Sequence, residues 1–184
     1  RTDDISVAID AWTRASGSSG NVELSHKGNV NFTLGLPSAI NLKSTKAEAY
    51  RGGVISSGAV TVNLEGDHVY TRNEDISYEA SGIEAASELY RSYTPWWERQ
   101  LPESERTPDS TATGGPVTVN FKGSLTSSGS NTRGLTAATK AARDANLGDV
   151  SVAIVGDVST SGSNSKALEL TSTTESGQAG NILF

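Results

Sequence analysis

Apolar residues alternate with polar ones in short runs that recur along the chain, each closed by a glycine at a fixed distance. In Val150-Ser-Val-Ala-Ile-Val-Gly156, Val150, Val152 and Ile154 share one face and Ser151, Ala153 and Val155 the other. A period of two built on β-branched residues predicts a strand. Val117-Thr-Val-Asn-Phe-Lys-Gly123 repeats the pattern, with glycine again six residues after the first valine. A small residue plus an aliphatic one follows eleven residues after each glycine, at Gly134-Leu135 and at Ala167-Leu168.

The same spacing extends upstream. Val60-Thr-Val-Asn-Leu-Glu-Gly66 and Val22-Glu-Leu-Ser-His-Lys-Gly28 match the first segment. Ala39-Ile40 follows Gly28 in phase, whereas Gly82-Ile83 arrives five residues late after Gly66, which predicts a short insertion around 72–78. Ser6-Val-Ala-Ile-Asp-Ala aligns with Ser165-Lys-Ala-Leu-Glu-Leu, so the chain enters in mid-repeat, and Ile182-Leu-Phe184 opens a further copy. Four full repeats therefore start at Val22, Val60, Val117 and Val150. Val158 and Thr160 predict a second short strand in each repeat, and Ala167, Leu168 and Leu170 a third. Three short strands cannot bury an apolar face alone. Stacked copies can, each strand pairing in parallel with its equivalent one repeat on. The fold class expected is all-β, a parallel solenoid of about four to five coils. A β-sandwich is the competing arrangement, but it does not require near-identical spacing in successive units.

The links between repeats vary. The Ala-rich stretch 140–149 has the propensity for a short helix ended by Gly148, and 46–59 reads as a loop. Residues 88–116 form an irregular insert, an inserted loop or short helix, with Thr94 placed to cap a turn or two before Pro95. It carries two of the three tryptophans. Tyr90, Tyr93, Trp96 and Trp97, close to Arg91, Glu98 and Arg99, are the candidate ligand-binding residues, because planar aromatics with charged neighbours suit sugars or protein hot spots. Packing of the insert against the flank of the stack is the plainer role for the same rings. Trp12, in a repeat-end turn, reads as a packing residue. The chain 1–184 is expected to be a single segment of a longer protein, since Arg1 is neither an initiator Met nor the start of a signal peptide.

Charge and composition remove several classes. The 184 residues carry a net charge of −6, with a pI near 4.9, and such a chain repels phosphate backbones, so no nucleic-acid partner is expected. There is no Cys, hence no disulfide and no thiolate metal site. No apolar run approaches the roughly 18 residues of a membrane helix, so the segment is not expected to span a membrane.

Little in the sequence points to chemistry. His26 and His68 stand at plus four and plus eight from their repeat starts, which places them on different parts of a coil. His26 takes an apolar strand position and reads as structural. No nucleophile motif is present. Asp67 and Asp157 both follow the glycine of their repeats, but Ser124 occupies that position between them. Glu74, Asp75 and Glu79 cluster without the spacing of a calcium loop and read as a solvated turn. No catalytic residue, metal or cofactor is expected. Asn63 and Asn120 share one outward position, with Ser25 and Ala153 at its ends. This ladder suits solvation or hydrogen bonding to a second copy.

The recurring pattern V-x-V-x-x-x-G-x-[LV]-x-[ST]-x-G-x-[NS], then a small residue plus Leu or Ile, resembles the passenger domains of Gram-negative autotransporters. Residues 117–137 and 150–171 match best, and the resemblance covers nearly the whole chain except 88–116. It implies a right-handed parallel β-helix, exported across the outer membrane and displayed outside the cell. It also implies a non-enzymatic role in adhesion or self-association. The partner would be a host or neighbouring-cell surface protein or glycan, or a second copy. The repeat-end loops lack the glycine runs common in such passengers, and the chain contains no β-barrel translocator. The alternative is a carbohydrate-active β-helix enzyme, a glycoside hydrolase or polysaccharide lyase, which needs two or three carboxylates converging on one groove. A third reading is a spacer whose parent binds elsewhere.

Overall fold

A computed structural model of the chain describes residues 7–13, 17–33, 38–46, 55–72, 79–90, 100–102, 104, 112–142, 145–175 and 177–184. In chain order the strands are β1 (Val7–Thr13), β2 (Gly17–Ser18), β3 (Val22–Lys27), β4 (Val30–Thr33), β5 (Ser38–Lys46), β6 (Ile55–Ser56) and β7 (Val60–Glu65). Next come β8 (His68–Thr71), β9 (Ala80–Leu89), β10 (Ala112–Gly114), β11 (Val117–Lys122), β12 (Leu125–Ser128) and β13 (Thr132–Ala141). The last six are β14 (Ala145–Leu147), β15 (Val150–Val155), β16 (Val158–Ser161), β17 (Lys166–Thr174), β18 (Gly177–Gln178) and β19 (Ile182–Leu183). No α-helix occurs among the described residues.

The chain is all-β, and its strands form four parallel sheets. Sheet A joins β1-β5-β9-β13-β17, sheet B β2-β6-β10-β14-β18, sheet C β3-β7-β11-β15-β19 and sheet D β4-β8-β12-β16. Every strand thus pairs with the one four places on. The repeat starts fall in register, Val22 with Val60, Val117, Val150 and Ile182. The small-plus-aliphatic pairs do the same, Ile40 opposite Ile83, then Leu135, then Leu168. Equivalent positions lie 38, 57, 33 and 32 residues apart along sheet C and 33, 43, 52 and 33 along sheet A, yet the pairing keeps phase throughout.

Four expectations are corrected. Each repeat has four strands, not three, because the two- and three-residue strands of sheet B are too short to show a period. The described residues of the Ala-rich stretch are not helical. Lys140 and Ala141 end β13, paired with Glu88 and Leu89, and Ala145 begins β14, opposite Gly177; ladder pairing overrides local propensity. At the N-terminus Val7, not Ile9, lies opposite Ile40, so the first strand is shifted by two residues from the expected alignment. A slip of two keeps every side chain on its own face, so alternation cannot detect it. Trp12 lies within β1, opposite Thr45, rather than in a turn. The insertion expected at 72–78 falls almost wholly on 73–78, outside the described residues.

The interior holds two apolar columns. The larger gathers Val60, Val62, Val117, Val119 and Val150 from sheet C, Phe32, Tyr70 and Leu125 from sheet D, and Ile83, Ala85, Leu135 and Ala137 from sheet A. The smaller gathers Ile55, Ala112, Ala145 and Leu147 from sheet B with Leu89 and Ala141 from the end of sheet A. Burial of the Val, Leu, Ile and Phe side chains among them stabilises the fold by roughly 1.5–3 kcal/mol each.

A seam of buried hydroxyls runs between the two columns. Ser44 bonds Ser19 (2.8 Å), donates to the Gly20 carbonyl (2.9 Å) and accepts from the Gly58 N–H (2.7 Å). One repeat on, Ser87 bonds Ser57 (2.7 Å) and donates to the Gly58 carbonyl (3.1 Å). Thr139 then donates to Ser172 (2.9 Å), which accepts from the Gly180 N–H (2.9 Å). Bending the backbone at each corner strands N–H and C=O groups in the interior, and the hydroxyls satisfy them.

The corner after each sheet C strand explains the glycine at plus six. Gly66, Gly123 and Gly156 have φ of 130°, 142° and 135°. A Cβ at Gly123 would lie 2.1 Å from the Gly66 carbonyl oxygen, so only glycine fits.

Candidate functional site

Outward residues of sheet A form a polar groove in which the strand register brings together side chains from four repeats. Asn41, Glu84, Thr136 and Glu169 occupy one column on β5, β9, β13 and β17. With Lys43, Glu79, Ser81, Arg133 and Lys140 they line a groove of about 280 Å3. The sequence pattern contains this column, but it is found only by reading the outward positions of the third strand as the first strand was read.

The charged groups hold one another in place. Lys43 Nζ lies 2.8 Å from Glu84, which also accepts from Ser38 Oγ at 2.6 Å. The Arg133 guanidinium, almost fully buried, pairs with both Glu79 and Glu169, and Lys166 reaches Glu169 at 2.7 Å. Burial works against ionisation of Glu84, but its bonds from Lys43 and Ser38 and the fields of Lys43 and Lys140 outweigh it, so the carboxyl lies below its usual range. Glu169 is likewise lowered, burial being overcome by Lys166 and Arg133. Thr136 shares a hydrogen bond with Ser81 (3.0 Å). Asn41 Oδ1 is buried and has no hydrogen-bond partner, an acceptor left unused at the head of the column.

Tyr90 follows directly on β9. Its ring is half exposed, at 48 %, and its hydroxyl donates to Glu88 Oε2 at 2.9 Å. Burial and the Glu88 carboxylate raise the phenol above its usual pKa, while Lys43 acts in the opposite direction. Tyr90 therefore feels a cation of the sheet A groove. Of the candidate aromatics, Tyr93, Trp96 and Trp97 lie outside the described residues, as do Arg91, Glu98 and Arg99. Of the acidic cluster, Glu74 and Asp75 lie outside the described residues, and Glu79 serves the Arg133 network. Among the described residues no group of three His, Cys, Asp or Glu is placed to hold a metal ion.

The outer face of sheet C carries a larger, shallow depression of about 490 Å3, lined among others by Ser25, Asn63, Asn120 and Ala153. The expected ladder is present and bonds internally: Asn120 Nδ2 donates to Asn63 Oδ1 at 2.8 Å and Asn63 Nδ2 to Ser25 at 3.4 Å. Beside it Glu65 bridges Lys27 (3.1 Å) and Lys122 (3.7 Å). Its lining also includes Leu64, Phe121, Ala153 and Val155, so this face is more apolar than the sheet A groove, whose lining residues are all polar.

The two histidines stand on different strands, as expected, but the corner at Gly28 and Gly66 brings their rings to 6.2 Å between centroids. His26 takes the position of Leu64 and is exposed. His68 is fully buried, shares a 2.9 Å hydrogen bond between Nδ1 and the Tyr70 hydroxyl, and sits edge-on to Phe121. Burial first, then His26, pushes its pKa down to about 4. Asp67 and Asp157 are separated by Ser124, as read: the Ser124 N–H and hydroxyl both donate to Asp67 (2.9 and 2.8 Å) and hold its carboxyl below the usual range. These groups cap a corner and do not converge on the groove.

No helix among the described residues is long and apolar enough to cross a membrane. No family model matches the chain, and neither a curated protein nor a solved structure matches it.

Proposed function

We propose that the chain is a segment of a right-handed parallel β-helix that serves as a non-enzymatic binding scaffold, exported across the outer membrane and displayed at the cell surface for adhesion or self-association. The observation that carries this reading is the register. Asn41, Glu84, Thr136 and Glu169, far apart in the chain, fall on one column, so repeated strands build a continuous outward face with Tyr90 nearby. Export and surface display rest on the likeness of 117–137 and 150–171 to autotransporter passengers, and the absence of Cys suits that route.

A carbohydrate-active enzyme is the second reading, favoured by Glu79, Glu84 and Glu169 lining one groove. Glycoside cleavage needs one carboxyl kept protonated near neutral pH by a raised pKa. Glu84 and Glu169 are shifted the other way, and the buried Arg133 pairs with both Glu79 and Glu169. The binding scaffold is the better fit.

The test is cell attachment by bacteria displaying the chain with and without residues 90–106. Far-UV circular dichroism should remain β-rich after the deletion while attachment is lost. Unchanged attachment would remove the insert from the reading, and loss of the β signal would give it a structural role instead.

A further inference from the structure

We infer that the outer-face groove of sheet A is a subsite for a neutral, linear oligosaccharide lying along the column Asn41–Glu84–Thr136–Glu169. The inference rests on the binding-scaffold reading and names the ligand class of that face. Four observations carry it.

The first is charge. The groove is lined by three cations, Lys43, Arg133 and Lys140, and three carboxylates, Glu79, Glu84 and Glu169. Both Lys43 and Arg133 are paired with carboxylates inside the groove. A compensated site has no net field for a polyanion or a polycation, so an uncharged ligand enters without displacing an ion pair. The second is the supply of hydrogen-bonding groups. An amide, two carboxylates and a hydroxyl recur at one position per strand, and carboxylates and amides are strong partners for vicinal hydroxyls.

The third is spacing. Neighbouring strands lie about 4.8 Å apart, close to the length of one pyranose unit in an extended chain, so each strand step presents a polar partner to successive sugars. At about 280 Å3 the groove lies just below the usual volume of ligand clefts, which suits a few sugar units rather than a folded protein. The fourth is the unused acceptor. Asn41 lines the groove with its Oδ1 turned inward, buried and without a partner, so a sugar hydroxyl pairs with that oxygen once the amide rotates toward the groove. A protein partner would need apolar anchors at the centre of the contact, and this groove has none among its lining residues.

The test is isothermal titration of the full chain with maltohexaose, cellohexaose, chitohexaose and hexagalacturonate. At least one of the three neutral chains should bind, and more tightly than hexagalacturonate. Asn41→Ala and Thr136→Val should each weaken that binding about five-fold, the loss of one hydrogen bond, with the β-rich far-UV circular dichroism of the folded chain retained. Asn120→Ala, on the other outer face, should leave it unchanged. Preference for hexagalacturonate, no binding of any neutral chain, or binding indifferent to both groove variants would overturn the inference. Attachment of displaying cells separates the two levels. If the Asn41→Ala/Thr136→Val chain attaches normally while deletion of 90–106 abolishes attachment, the scaffold reading stands and the sugar subsite falls.

Discussion

Replacing His68 by leucine and Tyr70 by phenylalanine should remove an acid-sensitive step from the fold. Both substitutions have precedents on adjacent strands: Leu125 lies opposite His68, and Phe32 opposite Tyr70. In the native chain His68 is fully buried, with Nε2 unpartnered and Nδ1 held by Tyr70. Its pKa falls from the ordinary 6.5 to about 4. A depressed histidine favours the neutral form in the folded state. Its contribution is fully present above pH 6.5 and is lost as pH falls through the folded value near 4. At about 1.4 kcal/mol per pH unit, the loss is about 2 kcal/mol at pH 5 and about 3 kcal/mol at pH 4. Urea midpoints of the native chain and of the His68→Leu/Tyr70→Phe chain at pH 7.5 and pH 5 isolate the term, because the two chains differ only in this buried hydrogen-bonded pair. The native chain should lose about 2 kcal/mol more than the double variant across that interval. The single His68→Leu chain should be less stable than the double one by about 1–3 kcal/mol, since it leaves the Tyr70 hydroxyl buried without a partner. Equal pH dependence in native and double-variant chains would refute the assignment of the acid step to His68.

Two further outcomes follow from the interior. Gly123→Ala sets a Cβ against the Gly66 carbonyl at a positive φ and should destabilise the chain by about 2–4 kcal/mol in thermal or urea melts; a change below about 1 kcal/mol would mean that the corner relaxes freely. Ser87→Val should cost about 1–3 kcal/mol, because Ser57 Oγ and the Gly58 carbonyl lose the hydroxyl that joins them; hydrogen exchange should quicken at Gly115, whose N–H donates to Ser57.

Much of the pairing scheme is legible in the sequence, because one-face burial fixes register wherever a strand is long enough to alternate. Val22, Val60, Val117 and Val150 fall in line for that reason, as do Ile40, Ile83, Leu135 and Leu168. The sheet B strands escape notice because Ile55–Ser56 and Gly177–Gln178 hold two residues each, fewer than one full alternation. The N-terminal slip escapes because two residues restore the same face. The closeness of His26 and His68 depends on a corner, and periodicity along a strand carries no information about corners. At the groove, Glu84, Thr136 and Glu169 keep constant distances from Ile83, Leu135 and Leu168, so their column was readable. The pairing of Arg133 with Glu79 was not, since Glu79 lies beside the out-of-phase segment before β9.

The hydroxyl seam has a consequence for how this chain tolerates added length. It lies where sheet A hands over to sheet B, and the connections there span 47–54, 90–111, 142–144 and 175–176. Ser44, before one such connection, is bonded to Gly58, after it; Ser57, bonded to Ser87 before the next, accepts from Gly115 beyond it. The 47–54 and 90–111 excursions are thereby clasped at their bases. Doubling the length of a clasped excursion costs only about 0.6 kcal/mol in closure entropy. The edge between sheets A and B is thus a port at which new surface can be added without disturbing the phase of the strands beneath.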